Sequence, residues 1–256
     1  MTDDGAGRKV NRGERPRGIA VFDIGSTNTK MILFDGDLNI VAEESVPSAH
    51  PDGPPYKSID PDPAIRFAQD VLPDFDAMLP VDAIVPSAHG SGLALLTENS
   101  TLALPIMDYE AEPPADIVES YATIEPPFSE VFAPTNPGGL TLARQLHWQE
   151  TRHAEAFATV RSIVPWGQLI AHRLAGPLVN EVTAMGAQTH LWNVKANRYS
   201  SLARARGWDQ LFAPLARAWD SLGPLQPDLL TQPLNGDAQV LTGIHDSNAN
   251  FLRYLT

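Results

Sequence analysis

The sequence reads as an α/β chain, and three observations point that way. Short buried strands alternate with tight turns between Ile19 and Val46. A capped helix then precedes another strand between Asp60 and Ser87, and a helical pattern with bulky apolar residues runs from Leu140 to Leu174.

The elements follow in order. Ile19-Ala-Val-Phe-Asp-Ile24 is a strand, Gly25-Ser-Thr-Asn-Thr29 a turn, and Lys30-Met-Ile-Leu-Phe34 a second strand. A turn at Asp35-Gly-Asp37 leads into a third strand, Asn39 to Val46, which completes an antiparallel meander. A Pro/Asp-rich loop covers His50 to Pro55. Asp60-Pro-Asp-Pro63 starts a helix that Pro73 should kink or end. Asp82 to Ser87 is a strand running into His89-Gly90. A hairpin over 93–107 turns at Glu98-Asn-Ser100, and the Pro-rich stretch Glu112 to Pro137 reads as a long irregular connection. A helix over 165–174 stops at Gly176-Pro177. Ala238 to Thr242 is the last strand, and a helix should follow from Ser247 to Leu255. Residues 1–16, polar and Gly/Arg-rich, read as a disordered tail.

Composition narrows the function classes. The chain has 256 residues, 43% of them hydrophobic, and no cysteine, which fits a reducing cytoplasm and excludes disulfides and thiolate metal sites. A net charge of -13 disfavours nucleic acid as a partner. No apolar run approaches the roughly 20 residues of a membrane span, and no apolar segment near the start reads as a secretion signal. The seven histidines form no H-x-x-x-H or H-E-x-x-H pair, so a dedicated histidine metal site is not expected.

Two segments carry the chemistry most directly. In Phe22-Asp-Ile-Gly-Ser-Thr-Asn-Thr-Lys30, a strand delivers Asp23 to a turn in which Gly25 permits close approach. Ser26, Thr27, Asn28, Thr29 and the turn's N–H groups then offer a phosphate cradle, with Lys30 behind it and Asp23 placed to hold Mg²⁺ through water. An ordinary polar hairpin reads equally well from these residues alone. In Gly243-Ile-His-Asp-Ser-Asn-Ala249, Asp246 ends a strand, where a carboxylate can take the proton of a hydroxyl nucleophile. It also precedes a helix, which it could merely cap.

The first segment resembles the leading phosphate motif of the actin-like ATPase superfamily, which includes FGGY sugar kinases, hexokinases, heat-shock chaperones and actin. Later segments select among these. Ser87-Ala-His-Gly-Ser-Gly92 resembles the Q-M-H-G segment of FGGY kinases, in which the histidine touches the sugar; a loop histidine is the alternative for His89. Leu104-Pro-Ile-Met-Asp-Tyr-Glu110 stands where the family has I-x-W-x-D-x-R, with Asp108 at its Asp but the Trp and Arg absent. Leu140 to Gly176 mirrors the family's K-L-x-W-L and P-x-D-Y-L-x-x-x-L-T-G, and Glu181 to Trp192 mirrors A-S-x-T-x-L-x-D. Gly243-Ile-His-Asp246 resembles G-G-H-D, whose Asp is the catalytic base.

The resemblance covers about residues 18–256. It implies a ribonuclease H-like α/β domain, with a mixed five-stranded sheet flanked by helices, over 17–256. It implies ATP and Mg²⁺ as cofactors and a sugar as substrate, bound by His89, Gly90, Asp108, His245 and Asp246. His245 before the base is closer to ketose kinases such as rhamnulokinase and xylulokinase than to glycerol kinases. The adenosine-binding domain of the family would lie beyond Thr256. Two functions of different class follow as expectations: a carbohydrate kinase represented by its N-terminal half, or a sugar-binding or regulatory domain without catalysis. The sequence does not indicate an oligomeric state.

Overall fold

The computed structural model describes residues 17–252, 254 and 255; the tail expected over 1–16 lies outside them. Strands β1 (Gly18–Ile24), β2 (Asn28–Asp35) and β3 (Ile40–Pro47) form the antiparallel meander, with Gly18 opposite Asp35 and Ile24 opposite Thr29. Helix α1 (Asp62–Met78) crosses back and delivers β4 (Val81–Ala88) parallel to β1. Much later in the chain come β5 (Ser221–Pro224), β6 (Gln239–Leu241) and β7 (Ile244–His245). The sheet runs β5-β6-β4-β1-β2-β3. Strands β6 and β7 both lie parallel to β4, whereas β5 is an antiparallel edge. The five expected strands are present, and β5 and β7 extend the sheet to seven.

Period-two alternation explains the layers. Ala20, Phe22 and Ile24 of β1 and Met31 and Leu33 of β2 point to one face, where they are buried against Phe67, Ala68, Val71, Leu72 and Phe75 of α1. The same core takes in Leu169, Ile170 and Leu174 of α4 (Trp166–Ala175), the helix that follows α2 and α3 below. Asp23, out of phase with this set, is left only half-buried on the opposite face.

Pro73 does not end α1, contrary to the sequence expectation. A proline inside a helix costs about 3 kcal/mol. Pro73 sits on the exposed side, while Phe67, Leu72 and Phe75 on the buried side each contribute ~1.5–3 kcal/mol and hold the helix continuous.

The stretch 112–137 is also more regular than expected. It contains α2 (Ala115–Ala122) and a short turn of helix at Phe128–Val131. Ile117 and Tyr121, four apart, face inward from α2, beside α3 (Leu142–Arg152). Trp148 of α3 packs edge-on to Tyr56 at 5.5 Å, which makes it a core residue. The hairpin over 93–107 forms, with Thr97 N–H bonding Thr101 O, but Leu93–Leu96 pairs along its length with Ser162–Pro165. The last helix, α5, spans Asp246–Leu252, shorter than expected.

Candidate active site

Three parallel strands end side by side, and their register assembles the site. Ile24 of β1 lies opposite Ala88 of β4, and Ala88 lies opposite His245 of β7. The residues that follow, Gly25, His89 and Asp246, therefore emerge together at the carboxyl edge of the sheet, the usual place for ligands in open α/β sheets.

A local irregularity aims β7. Val240 pairs with Ile84 and Ile244 with Ser87, so four steps on one strand match three on the other. The extra residue is a bulge, and Gly243 in it has φ +82°. A side chain there would place its Cβ 2.3 Å from Pro86 O. Thr242 and Gly243 turn their N–H groups to Asp220 O and Ala218 O, which keeps the bulge paired.

Asp246 begins α5. Its Oδ1 accepts from Ser247 N at 2.5 Å and Ser247 Oγ at 3.1 Å, with His245 Nε2 at 3.4 Å. Among the described residues no hydrogen bond engages Oδ2. Oδ1 of Asp246 is thus engaged by its neighbours Ser247 and His245, and Oδ2 remains for a ligand. His245 makes contacts on three sides. Its N–H donates to Thr183 Oγ1 (3.2 Å), its Nδ1 meets Asn248 Oδ1 (2.6 Å), and its ring lies so close to Gly90 that a Cβ there would stand 2.8 Å from Nε2. Thr183 Oγ1 in turn donates to the buried Glu181, which also accepts from the Thr183 and Ala184 N–H groups.

Burial raises the Asp23 carboxyl above the ordinary range, the Asp246 charge adds to the rise, and Lys30 opposes it. The two carboxylates thus sense each other across the site. Burial also pushes His89 down to about 4, against the opposing pull of the Asp246 and Asp108 charges, so its ring is neutral.

The phosphate loop divides in two. Ser26, Thr27 and Asn28 are accessible at the turn. Thr29 is not part of that group: it is 2% exposed, and its hydroxyl meets Ser48 Oγ at 3.1 Å. Lys30 reaches Glu43 on β3 at 3.3 Å. Gly25 N–H closes the turn on Asn28 O, and Ser48 Oγ donates to Gly25 O.

Asp108 lies 1% exposed beneath the site. Its Oδ1 accepts from Glu110 N (2.8 Å) and its Oδ2 from His50 Nδ1 (2.5 Å). His50, Thr183 and Glu181 were given no role from sequence. The only signal for His50 was its place in the Pro/Asp-rich loop after β3.

No three metal-ligating side chains cluster among the described residues. Two facing carboxylates beside a polar turn suit Mg²⁺ held through water and phosphate oxygens rather than in a protein cage. Asp23 and Asp246 would flank such an ion. No helix among the described residues is long and apolar enough to cross a membrane.

Comparison with known proteins bears on the fold and the family. A solved carbohydrate kinase from Novosphingobium aromaticivorans is 34% identical, with a TM-score of 0.86, over 93% of this chain and 51% of that one. Gluconate kinase (18% identity, TM-score 0.79) and ligand-bound xylulose kinase (19%, 0.78), both from Lactobacillus acidophilus, share the fold over 91% and 90% of this chain and 49% and 48% of theirs. The chain thus spans about half the length of these structures. A comparison with curated proteins gave no match. The model of the N-terminal domain of the FGGY family of carbohydrate kinases matches residues 19–252, and the chain belongs to that family.

Proposed function

We propose that this chain is the sugar-binding half of an ATP-dependent carbohydrate kinase acting in the cytoplasm on a ketose. The observation that carries the reading is the register that brings Gly25, His89 and Asp246 to one edge of three parallel strands.

The free Oδ2 of Asp246 takes the proton of the attacking sugar hydroxyl as its oxygen bonds to the γ-phosphorus and the bond to ADP breaks. Neutral His89 bonds a sugar hydroxyl and adds no charge to the site. Gly90 lets the His245 ring approach, and His245 contacts the sugar beside the base. Ser26, Thr27 and Asn28, with the turn's N–H groups, receive the phosphates; Thr29 and Lys30 brace the turn through Ser48 and Glu43. Mg²⁺ supplies charge neutralisation at the transferring phosphate when bound. Asp108 acts on the substrate through its partner His50.

Titration calorimetry with a panel of ketopentoses, ketohexoses and aldonates tests the sugar half of this reading. Sugar-dependent ADP release by a form extended with a nucleotide-binding half tests the transfer. Absence of sugar binding at tens of millimolar would overturn the proposal.

A further inference from the structure

A narrow pocket opens beside the strand ends, walled by Ile59 and Ala64 and lined by His50, His89 and Trp166; its enclosed part is the size of one water molecule. Two polar atoms of its lining residues, His50 Nε2 and Trp166 Nε1, are buried without a hydrogen-bond partner. Such atoms destabilise a fold unless water or a ligand completes them.

Their bonding roles are set from behind. The Asp108 carboxylate accepts from His50 Nδ1, which keeps a proton there; with that one proton on the ring, Nε2 is an acceptor. Trp166 Nε1 can only donate, and the Trp166 side chain is itself 2% exposed. A hydroxyl both donates and accepts, so polyol hydroxyls satisfy both atoms. An apolar group would leave both atoms unmade. The size of the pocket admits a hydroxyl end, not a ring.

His89 links this pocket to the reacting centre. Its ring centroid lies 6.5 Å from that of Trp166, and the charges of Asp246 and Asp108 both reach it. A sugar lying against His89 with one hydroxyl at Asp246 can present another to the pocket.

We propose that His50, held by Asp108, and Trp166 form a specificity subsite that reads a non-reacting hydroxyl of the sugar. The proposal rests on the sugar-kinase reading above. His50 and Trp166 touch the substrate, and Asp108 is a positioning residue.

The experiment is calorimetric titration of the 256-residue chain with D-xylulose, D-ribulose and D-gluconate, followed by monodeoxy analogues of whichever binds. Trp166→Phe removes the N–H and keeps a ring, and His50→Phe removes the acceptor. Each should weaken binding about tenfold. The loss should vanish against the one deoxy analogue that lacks the hydroxyl being read, which a structural defect would not produce. Should His50→Phe fail to fold, Trp166→Phe carries the test. Wild-type affinity in both variants, with binding lost in His89→Ala, would mean that the pocket holds water only and would leave the sugar-kinase reading standing. Equal weakening against every analogue would also overturn the subsite. If none of these sugars, nor any other of the ketopentose, ketohexose and aldonate panel, binds the wild type, the subsite fails together with the kinase reading on which it rests.

Discussion

At the scale of single residues, Asp246 and His89 make separable predictions. Asp246→Asn keeps one side-chain oxygen for the Ser247 contacts but removes the proposed base. In any form that includes the nucleotide half, turnover should fall at least about a hundredfold while sugar affinity changes only a few-fold. Turnover within tenfold of wild type would refute the assignment. His89 gives a prediction about pH. Its folded pKa of about 4 lies below the ordinary value of 6.5. Between those values the unfolded chain binds the extra proton, so stability is fully present above pH 6.5 and is lost as pH falls toward 4. His89→Gln should flatten the dependence of urea midpoints on pH in that window, and an unchanged slope would mean that the ring is not held neutral. Asp23 and His89 were readable from sequence because each follows a strand inside a local motif. The pairing of His50 with Asp108 was not, because 58 residues separate them and only the fold brings them together. Thr29 was misplaced in the cradle for a similar reason: strand alternation, which buries Thr29 with Met31 and Leu33, outranks the turn pattern that grouped it with Ser26 and Thr27.

At the scale of elements, the β6–β7 bulge and the Gly90 contact should respond differently to the same change. Gly243→Ala forces a side chain into a positive-φ position and against Pro86 O. Strain of this kind costs roughly 1–3 kcal/mol, enough to lower Tm by several degrees in a chain of this size. Gly90→Ala meets the imidazole of His245, a side chain that can swing aside. Thermal stability should change little, while sugar affinity drops because His245 leaves its place. Differential scanning calorimetry and sugar titration on both variants separate the two effects. Comparable Tm losses would show that the His245 ring is as fixed as the backbone. The sequence marked both glycines as part of motifs. It gave no sign of the one-residue slip between β6 and β7, because register depends on pairing with β4, more than 150 residues earlier in the chain. Residues 112–137 are more regular than their prolines suggest: Pro114 only precedes α2, and Ile117 and Tyr121 keep a helical spacing.

At the scale of the whole molecule, the proposed phosphate loop lies open on one side. Thr27 and Asn28 stand exposed, and the carboxylates of Asp23 and Asp246 sit close enough to influence each other. The chain carries a net charge of -13. A tetra-anionic nucleotide approaching this surface meets repulsion at long range, and its attraction to the exposed N–H and hydroxyl donors is screened within about 8–10 Å at physiological salt. The structures this chain resembles are about twice its length. Mg·ATP should therefore bind the 256-residue chain with a dissociation constant weaker than about 1 mM, giving little heat on calorimetric titration at tenth-millimolar protein. Sugar binding should persist in the same preparation, since His89, His245 and Asp246 converge within the chain itself. It should be weaker than in a form extended with the nucleotide half, where closure excludes water from the polar contacts. Micromolar affinity for Mg·ATP would mean that adenosine is gripped by residues of this chain, and the search for that grip would begin at the accessible turn of Ser26, Thr27 and Asn28.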